Sequence, residues 1–221
     1  MNLGIDHSRK LSVPQAVEIQ ERLADRVVRQ GSGSPVRLVA GADCAYAEDG
    51  SLCAAAVVVW DLRKREVVET CTALREVRFP YVPGLFAFRE APAVLEALQG
   101  LTARPQLLIC DGHGIAHPRR FGLASHVGVL SGVPTVGCAR QRLCGSFVEP
   151  ESERGSSSPL TDRGEIVGTV LRTRSGVRPV FISIGHRIDL HSAERVILAC
   201  TPRYRLPEPL RLAHRAADAV L

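Results

Sequence analysis

The 221-residue sequence predicts one α/β domain in which helices flank a mixed sheet. Three candidate strands follow one another across short polar turns near the start, which is typical of an antiparallel meander. Further along, an apolar strand, a helical stretch and a second apolar strand alternate, and that order implies parallel pairing. No repeat or composition break indicates a second domain, so we expect residues 1–221 to form a single domain.

The predicted elements of the first half begin with an amphipathic helix. Ser12 is suited to cap this helix, and Pro14 fits its first turn. A second helix carries Glu90, and Pro92 within it predicts a kink or a late start. In order, the elements are a helix at 13–30, strands at 36–47, 52–61 and 66–78, and a helix at 85–99.

The second half alternates strands and helices. Residues 150–159 are polar and serine-rich, so we expect a mobile loop there. The predicted elements are strands at 106–111, 134–139, 165–173 and 179–184, and helices at 119–131, at 190–200 and from 207 onward. This element order is that of an RNase H-like domain, which presents acids from its first strand, a helix and its fourth strand at one edge of the sheet.

Composition disfavours several classes of protein. Hydrophobic residues make up 45% of the chain and charged residues 23%, as in ordinary globular proteins. No stretch of about 18 apolar residues predicts a membrane span, and the N-terminus lacks the apolar core of a secretion signal. The seven cysteines form no C-x-x-C pair, which predicts small core residues in a reducing cytoplasm.

The net charge of +5 is compatible with a polyanionic partner. Nearly all basic residues are arginines, with lysine only at Lys10 and Lys64. Arginine suits bidentate phosphate contacts, although codon bias in a GC-rich genome explains the same composition.

The run Cys110–His126, which reads CDGHGIAHPRRFGLASH, is the most informative segment. A buried strand ends on Asp111, and ligand sites in open α/β sheets favour that edge. The glycines that follow allow a ligand to approach the backbone, and Arg119 and Arg120 can hold phosphate. Because a carboxylate can hold a divalent cation, the pattern predicts a metal-assisted phosphodiester site.

Two further acids complete the candidate site. Asp43 lies inside an apolar strand, where a carboxylate needs a compensating charge from a cation or from an arginine. Gly41, on the same side of that strand, leaves room for a ligand. Glu90 by itself also fits an ordinary surface position on a helix. Together with Asp111, these acids suit Mg²⁺ or Mn²⁺ better than zinc, with either one or two ions bound.

Several blocks of the chain resemble the endonuclease V family over essentially its whole length. The longest block runs from Asp111 to Arg120. The other matching blocks are Val39–Asp43 with Tyr46, Phe79–Leu85 with Phe88–Glu90, Pro134–Gly137, and Pro202–Pro209 with Arg211–His214. Blocks of this length in the same order make the resemblance specific.

This resemblance implies an RNase H-like fold and Mg²⁺-dependent hydrolysis of DNA, in which Mn²⁺ can substitute. The cut falls at the second phosphodiester bond 3′ of a deaminated base such as deoxyinosine, and it leaves a 3′-hydroxyl and a 5′-phosphate. The implied partner is DNA that contains deaminated bases, for a cytoplasmic enzyme without membrane contact. We also expect a monomer, since no long hydrophobic stripe remains after the core is assigned.

The resemblance also assigns roles to residues. Asp43, Glu90 and Asp111 are the implied metal-binding catalytic acids, with His214 as a further catalytic residue or, alternatively, an exposed residue of the last helix. Tyr81 is the implied wedge that fills the gap left by a flipped base, with a buried tyrosine in a turn as the alternative. The implied substrate-binding residues are Pro80, Tyr81, Val82, Pro83, Gly84, Leu85, Gly112, His113, Gly114, His117, Arg119 and Arg140.

Two positions depart from the family's usual sequence. His113 stands where glutamine is usual, which changes hydrogen bonding in the base pocket or adds a titratable group near the base. Arg140 stands where lysine is usual, and it keeps the charge but not the compact ammonium. Neither change removes an implied metal ligand, so we expect activity.

Two other functions remain compatible with the sequence. One is an inosine-specific endoribonuclease acting on inosine-containing RNA, since some members of the family that the chain resembles prefer RNA. Recognition of a ribose needs contacts to its 2′-hydroxyl, and no motif here indicates them. The compact length without an extended basic tail favours DNA. The other is a non-catalytic nucleic-acid-binding protein on the same fold, and the three intact acids argue against it.

Overall fold

A computed structural model describes residues 11–31 and 36–221. Its strands are β1 (Leu38–Tyr46), β2 (Leu52–Asp61), β3 (Glu66–Glu76), β4 (Leu107–Cys110), β5 (Thr135–Ala139), β6 (Ser157–Asp162), β7 (Glu165–Leu171) and β8 (Val180–His186). Its helices are α1 (Val13–Ala24), α2 (Ala87–Gln99), α3 (Leu123–Ser131), α4 (Leu190–Ala199) and α5 (Glu208–Asp218). The strands form one eight-stranded sheet in the order β3-β2-β1-β4-β5-β8-β7-β6.

The sheet is mixed, as the sequence predicts. β1, β2 and β3 pair antiparallel, whereas β1, β4 and β5 pair parallel. The parallel register places Ala42 of β1 beside Cys110 of β4. Asp43 and Asp111 directly follow these two residues, so both acids lie side by side toward the carboxyl edge of neighbouring strands. The RNase H-like fold class is therefore confirmed.

The last three strands extend the sheet beyond the predicted arrangement. β8 pairs antiparallel with β5, and β7 and β6 continue this antiparallel order to the edge. β6 overlaps the loop predicted at 150–159, so that prediction is wrong for residues 157–159. The sequence does not reveal β6 because Leu160 is its only buried side chain, and pairing of its backbone with β7 places the rest in the sheet.

Several helices are shorter than predicted. α1 ends at Ala24 instead of residue 30, and α3 begins at Leu123 instead of residue 119. The late start of α3 follows from Arg120, whose φ of 55° is left-handed and incompatible with a continuous helix. α2 begins at Ala87, two residues later than predicted, but Pro92 lies inside it beyond the first turn, so the proline does not set its start.

Helices cover both faces of the sheet. α2 and α3 pack on one face, where Ala55 and Val57 of β2 belong to the buried core. α4 and α5 pack on the other face, where Ile109 and Ile182 are fully buried. Burial from both sides explains the nearly continuous apolar sequences of the central strands.

None of the described helices is long and apolar enough to span a membrane. The seven cysteines are free thiols, and four of them are buried. Burial raises the pKa of the Cys110 thiol, so it behaves as a small apolar residue of the core, as the sequence predicts.

Candidate active site

The first acid, Asp43, lies on β1 and contacts the C-terminal helix. Its Oδ2 is 3.0 Å from Nδ1 of His214 in α5, and its Oδ1 accepts a hydrogen bond from the backbone N–H of Cys44. Gly41 permits this approach, since a Cβ there would lie 2.3 Å from the backbone carbon of Pro209. The space beside Gly41 is therefore filled by the start of α5 and not by a ligand, which corrects the expectation from the sequence.

The second acid, Asp111, follows β4 and pairs with Arg140, which follows β5. Nη2 of Arg140 lies 2.8 Å from Oδ2 of Asp111. The carbonyl oxygen of Arg140 accepts a hydrogen bond from Nη2 of Arg205 at 2.9 Å, which holds the backbone of this loop in place. In this structure the charge of Arg140 is thus directed at an acid of the site.

The third acid, Glu90, lies on α2 and is only 5% exposed. The hydroxyl of Tyr46 donates a hydrogen bond to its Oε1 over 3.3 Å. The guanidinium of Arg89 lies 4.8 Å from the centroid of the Tyr46 ring, which holds that ring in place. Glu90 is therefore not an ordinary surface residue of a helix.

Burial disfavours the charged form of all three carboxylates, and neighbouring negative charge adds to this at Asp43 and Glu90. Burial, followed by the charge of Asp111, raises the pKa of Asp43 to about 6. Burial also raises the pKa of Asp111, although Arg140 acts in the opposite direction. Burial raises the pKa of Glu90 well above its ordinary value, with smaller contributions from Cys53, Asp43 and Asp111. A bound cation would offset this concentration of negative charge.

The acids fit a hard divalent cation by their chemistry, because carboxylate oxygens are the ligands that Mg²⁺ and Mn²⁺ prefer. Within residues 11–31 and 36–221, no three His, Cys, Asp or Glu side chains are already grouped so that they could hold a metal ion. Arg140 and His214 instead contact the carboxylates of Asp111 and Asp43. A cation held by Asp111 would therefore compete with the salt bridge from Arg140.

A cavity of about 500 Å³ opens beside Asp111, within the size range of small-molecule sites. Its walls come from the loop before α2, the glycine-rich loop after β4 and the loop after β5. The predicted substrate-binding residues that line it are Tyr81, Val82, Pro83, Gly84, Gly112, His113, His117 and Arg140. We call Asp43, Glu90 and Asp111 the acidic edge. Because Asp111 also lines the cavity, the cavity and the acidic edge form one continuous site.

The cavity lining does not include the other predicted substrate-binding residues, which are Pro80, Leu85, Gly114 and Arg119. Leu85 is buried in the core. Gly114 packs on β8, where a Cβ would lie 1.9 Å from the carbonyl oxygen of Ile184. The small size of Gly114 therefore allows close packing of the glycine-rich loop on the sheet.

Tyr81 projects from the rim of the cavity and is 69% exposed, so the alternative of a buried tyrosine is wrong. The loop that carries it is anchored by Phe79, which is buried and packs on Phe88 with 5.4 Å between ring centroids. The ring of Phe86 meets Tyr81 edge to face at 6.5 Å. The structure thus presents an exposed aromatic side chain on an anchored loop.

Several residues of the cavity escaped the sequence analysis. Gln20 reaches the cavity from α1, and residues 141–143 reach it from the loop after β5. The available signal for Gln20 is a polar residue on the buried face of an amphipathic helix. The carbonyl of Gln141 lies 3.1 Å from Nε2 of His113, so this nitrogen carries the hydrogen and ties the two loops together.

Both arginines predicted to hold phosphate make internal contacts. Nε of Arg119 donates to Oε1 of Gln20 at 2.6 Å. Arg120 forms salt bridges with Asp162 and Glu165, each at 2.8 Å. Phosphate binding by these arginines remains a prediction.

The fold and the site define an RNase H-like α/β protein that carries three acids at one edge of its sheet beside a cavity. The family model for endonuclease V matches residues 21–215. Endonuclease V of Roseiflexus sp. (strain RS-1) is 50% identical over 220 residues, which cover 100% of this chain and 96% of that protein. The chain belongs to the endonuclease V family, which confirms the resemblance, and is by its family a nuclease.

Solved structures of the family agree with this fold. The crystal structure of endonuclease V from Streptomyces avermitilis has a TM-score of 0.93 at 46% identity and covers 98% of this chain and 96% of that one. Endonuclease V of Ciona intestinalis, in complex with a 24mer DNA containing an inosine followed by a ribo-adenosine, has a TM-score of 0.80 at 27% identity. That comparison covers 92% of this chain and 94% of the Ciona chain.

Proposed function

We propose that this protein is a Mg²⁺-dependent endonuclease that recognises deaminated bases such as hypoxanthine in DNA. It hydrolyses the second phosphodiester bond 3′ of the lesion and leaves a 3′-hydroxyl and a 5′-phosphate. The observation that carries the proposal is the position of Asp111, which belongs both to the acidic edge and to the cavity. A base held in the cavity therefore brings the phosphates that follow it towards the acids.

Asp43, Glu90 and Asp111 would hold the cation, which when bound polarises the phosphate and makes water more acidic. The 3.0 Å contact from His214 orients the carboxylate of Asp43. Arg140 would give up its contact with Asp111 when that carboxylate holds the cation, and its guanidinium would then be available to a phosphate oxygen. The same carboxylates suit Mn²⁺.

Recognition of a flipped base is supported by the walls of the cavity. Gly84 and Gly112 line the cavity without a side chain, so a base can approach the chain closely there. Burial lowers the pKa of His113 to about 4, so its ring presents no charge to a base near neutral pH. The exposed ring of Tyr81 is suited to stack in the gap that the base leaves.

Cleavage of labelled duplexes tests the proposal. With Mg²⁺, we expect one nick at the second bond 3′ of a single deoxyinosine, no nick in the matched adenine duplex, and loss of cleavage in Asp43→Ala. Mass spectrometry of the products identifies the 3′-hydroxyl and 5′-phosphate ends. Binding of inosine DNA that is unchanged by EDTA, with no cleavage in Mg²⁺ or Mn²⁺, would leave a non-catalytic binding protein instead.

Cleavage of RNA at inosine is a second candidate. The Ciona relative is in complex with DNA in which a ribo-adenosine follows the inosine, so one member of the family accommodates a ribonucleotide at that position. Matched oligonucleotides of deoxyinosine DNA, inosine RNA, and DNA with one ribonucleotide after the inosine separate the two functions. Cutting of the RNA at an equal or higher rate would overturn the assignment to DNA.

A further inference from the structure

Three side chains hold the carbonyl oxygen of Gly84, in the loop between Tyr81 and the cavity. Nε2 of Gln20 donates to it at 3.0 Å, Nε2 of His117 at 2.9 Å, and Nη2 of Arg119 at 2.8 Å. A carbonyl oxygen has two lone pairs, so three donors saturate it. We call Gln20, His117 and Arg119 the Gly84 clamp.

The residues of the Gly84 clamp also bond to one another, which fixes their orientation. Oε1 of Gln20 accepts from Nε of Arg119 at 2.6 Å, and its amide donates a second hydrogen bond to the Phe121 carbonyl at 2.9 Å. Nδ1 of His117 accepts from the backbone N–H of Arg119 at 3.1 Å, so Nε2 carries the hydrogen that reaches Gly84. Burial lowers the pKa of His117 to about 4, which keeps the ring in this form near neutral pH.

Gln20 is the unexpected member of the clamp, because it is 0% exposed on the apolar face of α1. A buried amide costs free energy unless its groups are hydrogen-bonded, and an apolar residue would fill this face without that requirement. The residue that the clamp binds, Gly84, has no side chain. A Cβ on Gly84 would lie 3.0 Å from Nη2 of Arg119, and the φ of +77° favours glycine there.

We propose that Gln20, with His117 and Arg119, is a positioning residue: the Gly84 clamp fixes the chain between Tyr81 and the cavity and thereby sets the discrimination between deaminated and ordinary bases. This inference rests on the proposed function. It gives His117 and Arg119 an indirect role in place of the direct substrate contacts that the family resemblance implies. When DNA binds, the cavity wall at Gly84 and the Tyr81 loop lose less conformational entropy if they are already ordered.

Binding measurements without cleavage test the inference. Gln20→Met keeps the length of the side chain but removes its hydrogen bonds, Arg119→Met removes the guanidinium, and Glu21→Met is the control on the exposed face of α1. Affinities for a deoxyinosine duplex and its adenine counterpart are measured in EDTA and in Ca²⁺. We expect both clamp variants to lower the preference for inosine about five- to tenfold, the loss of one or two hydrogen bonds. We expect Glu21→Met to match the wild type.

The salt dependence of binding separates positioning from phosphate contact. A positioning role leaves the slope of log K against log salt unchanged in Arg119→Met. A phosphate contact instead weakens binding to both duplexes equally and lowers that slope by about one. The second result would overturn the role given to Arg119.

Hydrogen exchange tests the clamp without any substrate. In Gln20→Met we expect backbone amides in residues 81–86 to exchange about tenfold faster while β4 and β5 keep their protection. If β4 also loses protection, the variant is globally unfolded and Arg119→Met decides the outcome. Unchanged exchange with an unchanged preference for inosine would overturn the inference even if the wild type cleaves. A wild type that does not cleave inosine DNA overturns the proposed function instead.

Discussion

The acidic edge and the Gly84 clamp lie beside the same cavity, yet their polar groups differ in how well the protein stabilises them. At the acidic edge, Glu90 is buried, Asp43 and Asp111 are partly buried, and the pKa values of all three are raised. In the clamp, the amide of Gln20 and the ring of His117 have hydrogen-bond partners at both ends. In the first region the protein only partly offsets the negative charge, through Arg140 and His214, whereas in the second the polar groups are hydrogen-bonded within the protein. Mutations at the acidic edge should therefore lower activity more than stability, and mutations in the clamp should lower stability more than the cleavage rate.

The largest effect is expected at the acidic edge. Asp43→Asn should lower single-turnover cleavage at least about a hundredfold, because the site loses a charged ligand. Its unfolding free energy without metal should stay constant or rise by about 1 kcal/mol, because one source of repulsion is removed. Kinetics and urea denaturation measure the two quantities, with Glu48→Gln, an exposed position, as the control. A large loss of stability would mean that Asp43 holds the fold together in the manner of the clamp.

The clamp should behave in the opposite way. His117→Leu leaves the backbone N–H of Arg119 without its acceptor and removes one donor from Gly84. We expect a loss of about 2 kcal/mol in the free energy of unfolding, but less than a tenfold change in cleavage rate at saturating inosine DNA. Unchanged stability together with a large loss of rate would assign His117 to the reaction itself.

The pH dependence of stability should distinguish the acidic edge further. Because the pKa of Asp43 rises from 3.8 to about 6 on folding, the metal-free folded protein binds this proton more tightly than the unfolded chain. Its contribution to stability is complete below pH 3.8 and is lost as the pH rises through about 6. We expect Mg²⁺ to restore stability more at about pH 7.5 than at about pH 5, since protons compete with the cation.

Thermal denaturation with and without Mg²⁺ at both pH values measures this effect. Asp43→Asn provides the matched control, because it removes the titrating carboxyl and should reduce the stabilisation by Mg²⁺. Equal stabilisation of the wild type at both pH values would argue against binding of the cation to these acids.

The smallest combined change in activity and stability is expected at His214, whose side chain is 47% exposed. His214→Ala should lower single-turnover cleavage about tenfold, because it removes a group that orients Asp43. The free energy of unfolding should change by less than about 0.5 kcal/mol, since the contact is partly exposed to solvent. A rate equal to that of the wild type would restrict His214 to the surface of α5.

Patterns of sequence neighbours predicted the features that depend only on residues close together in the chain. Asp111 follows four apolar residues, and Asp43 interrupts an apolar strand, so each acid could be recognised from its neighbours in the sequence alone. Glu90 entered the candidate site through the RNase H-like order of the elements and the family resemblance, because the pattern of its own helix does not mark it as buried. The strand β6 and the clamp residue Gln20 were missed, since backbone pairing across the sheet and contacts over 64 residues leave no local signal.

The sequence by itself determined the α/β class, the order of the elements other than β6, and the two acids that lie side by side on β1 and just after β4. These follow from hydrophobic periodicity and from strands that end on charged residues. Only the tertiary structure decided what surrounds those acids: α5 fills the space beside Gly41, Arg140 pairs with Asp111, and Gln20 reaches Gly84. The reason is physical, because burial and hydrogen bonding depend on distances between residues that the chain brings together only when it folds.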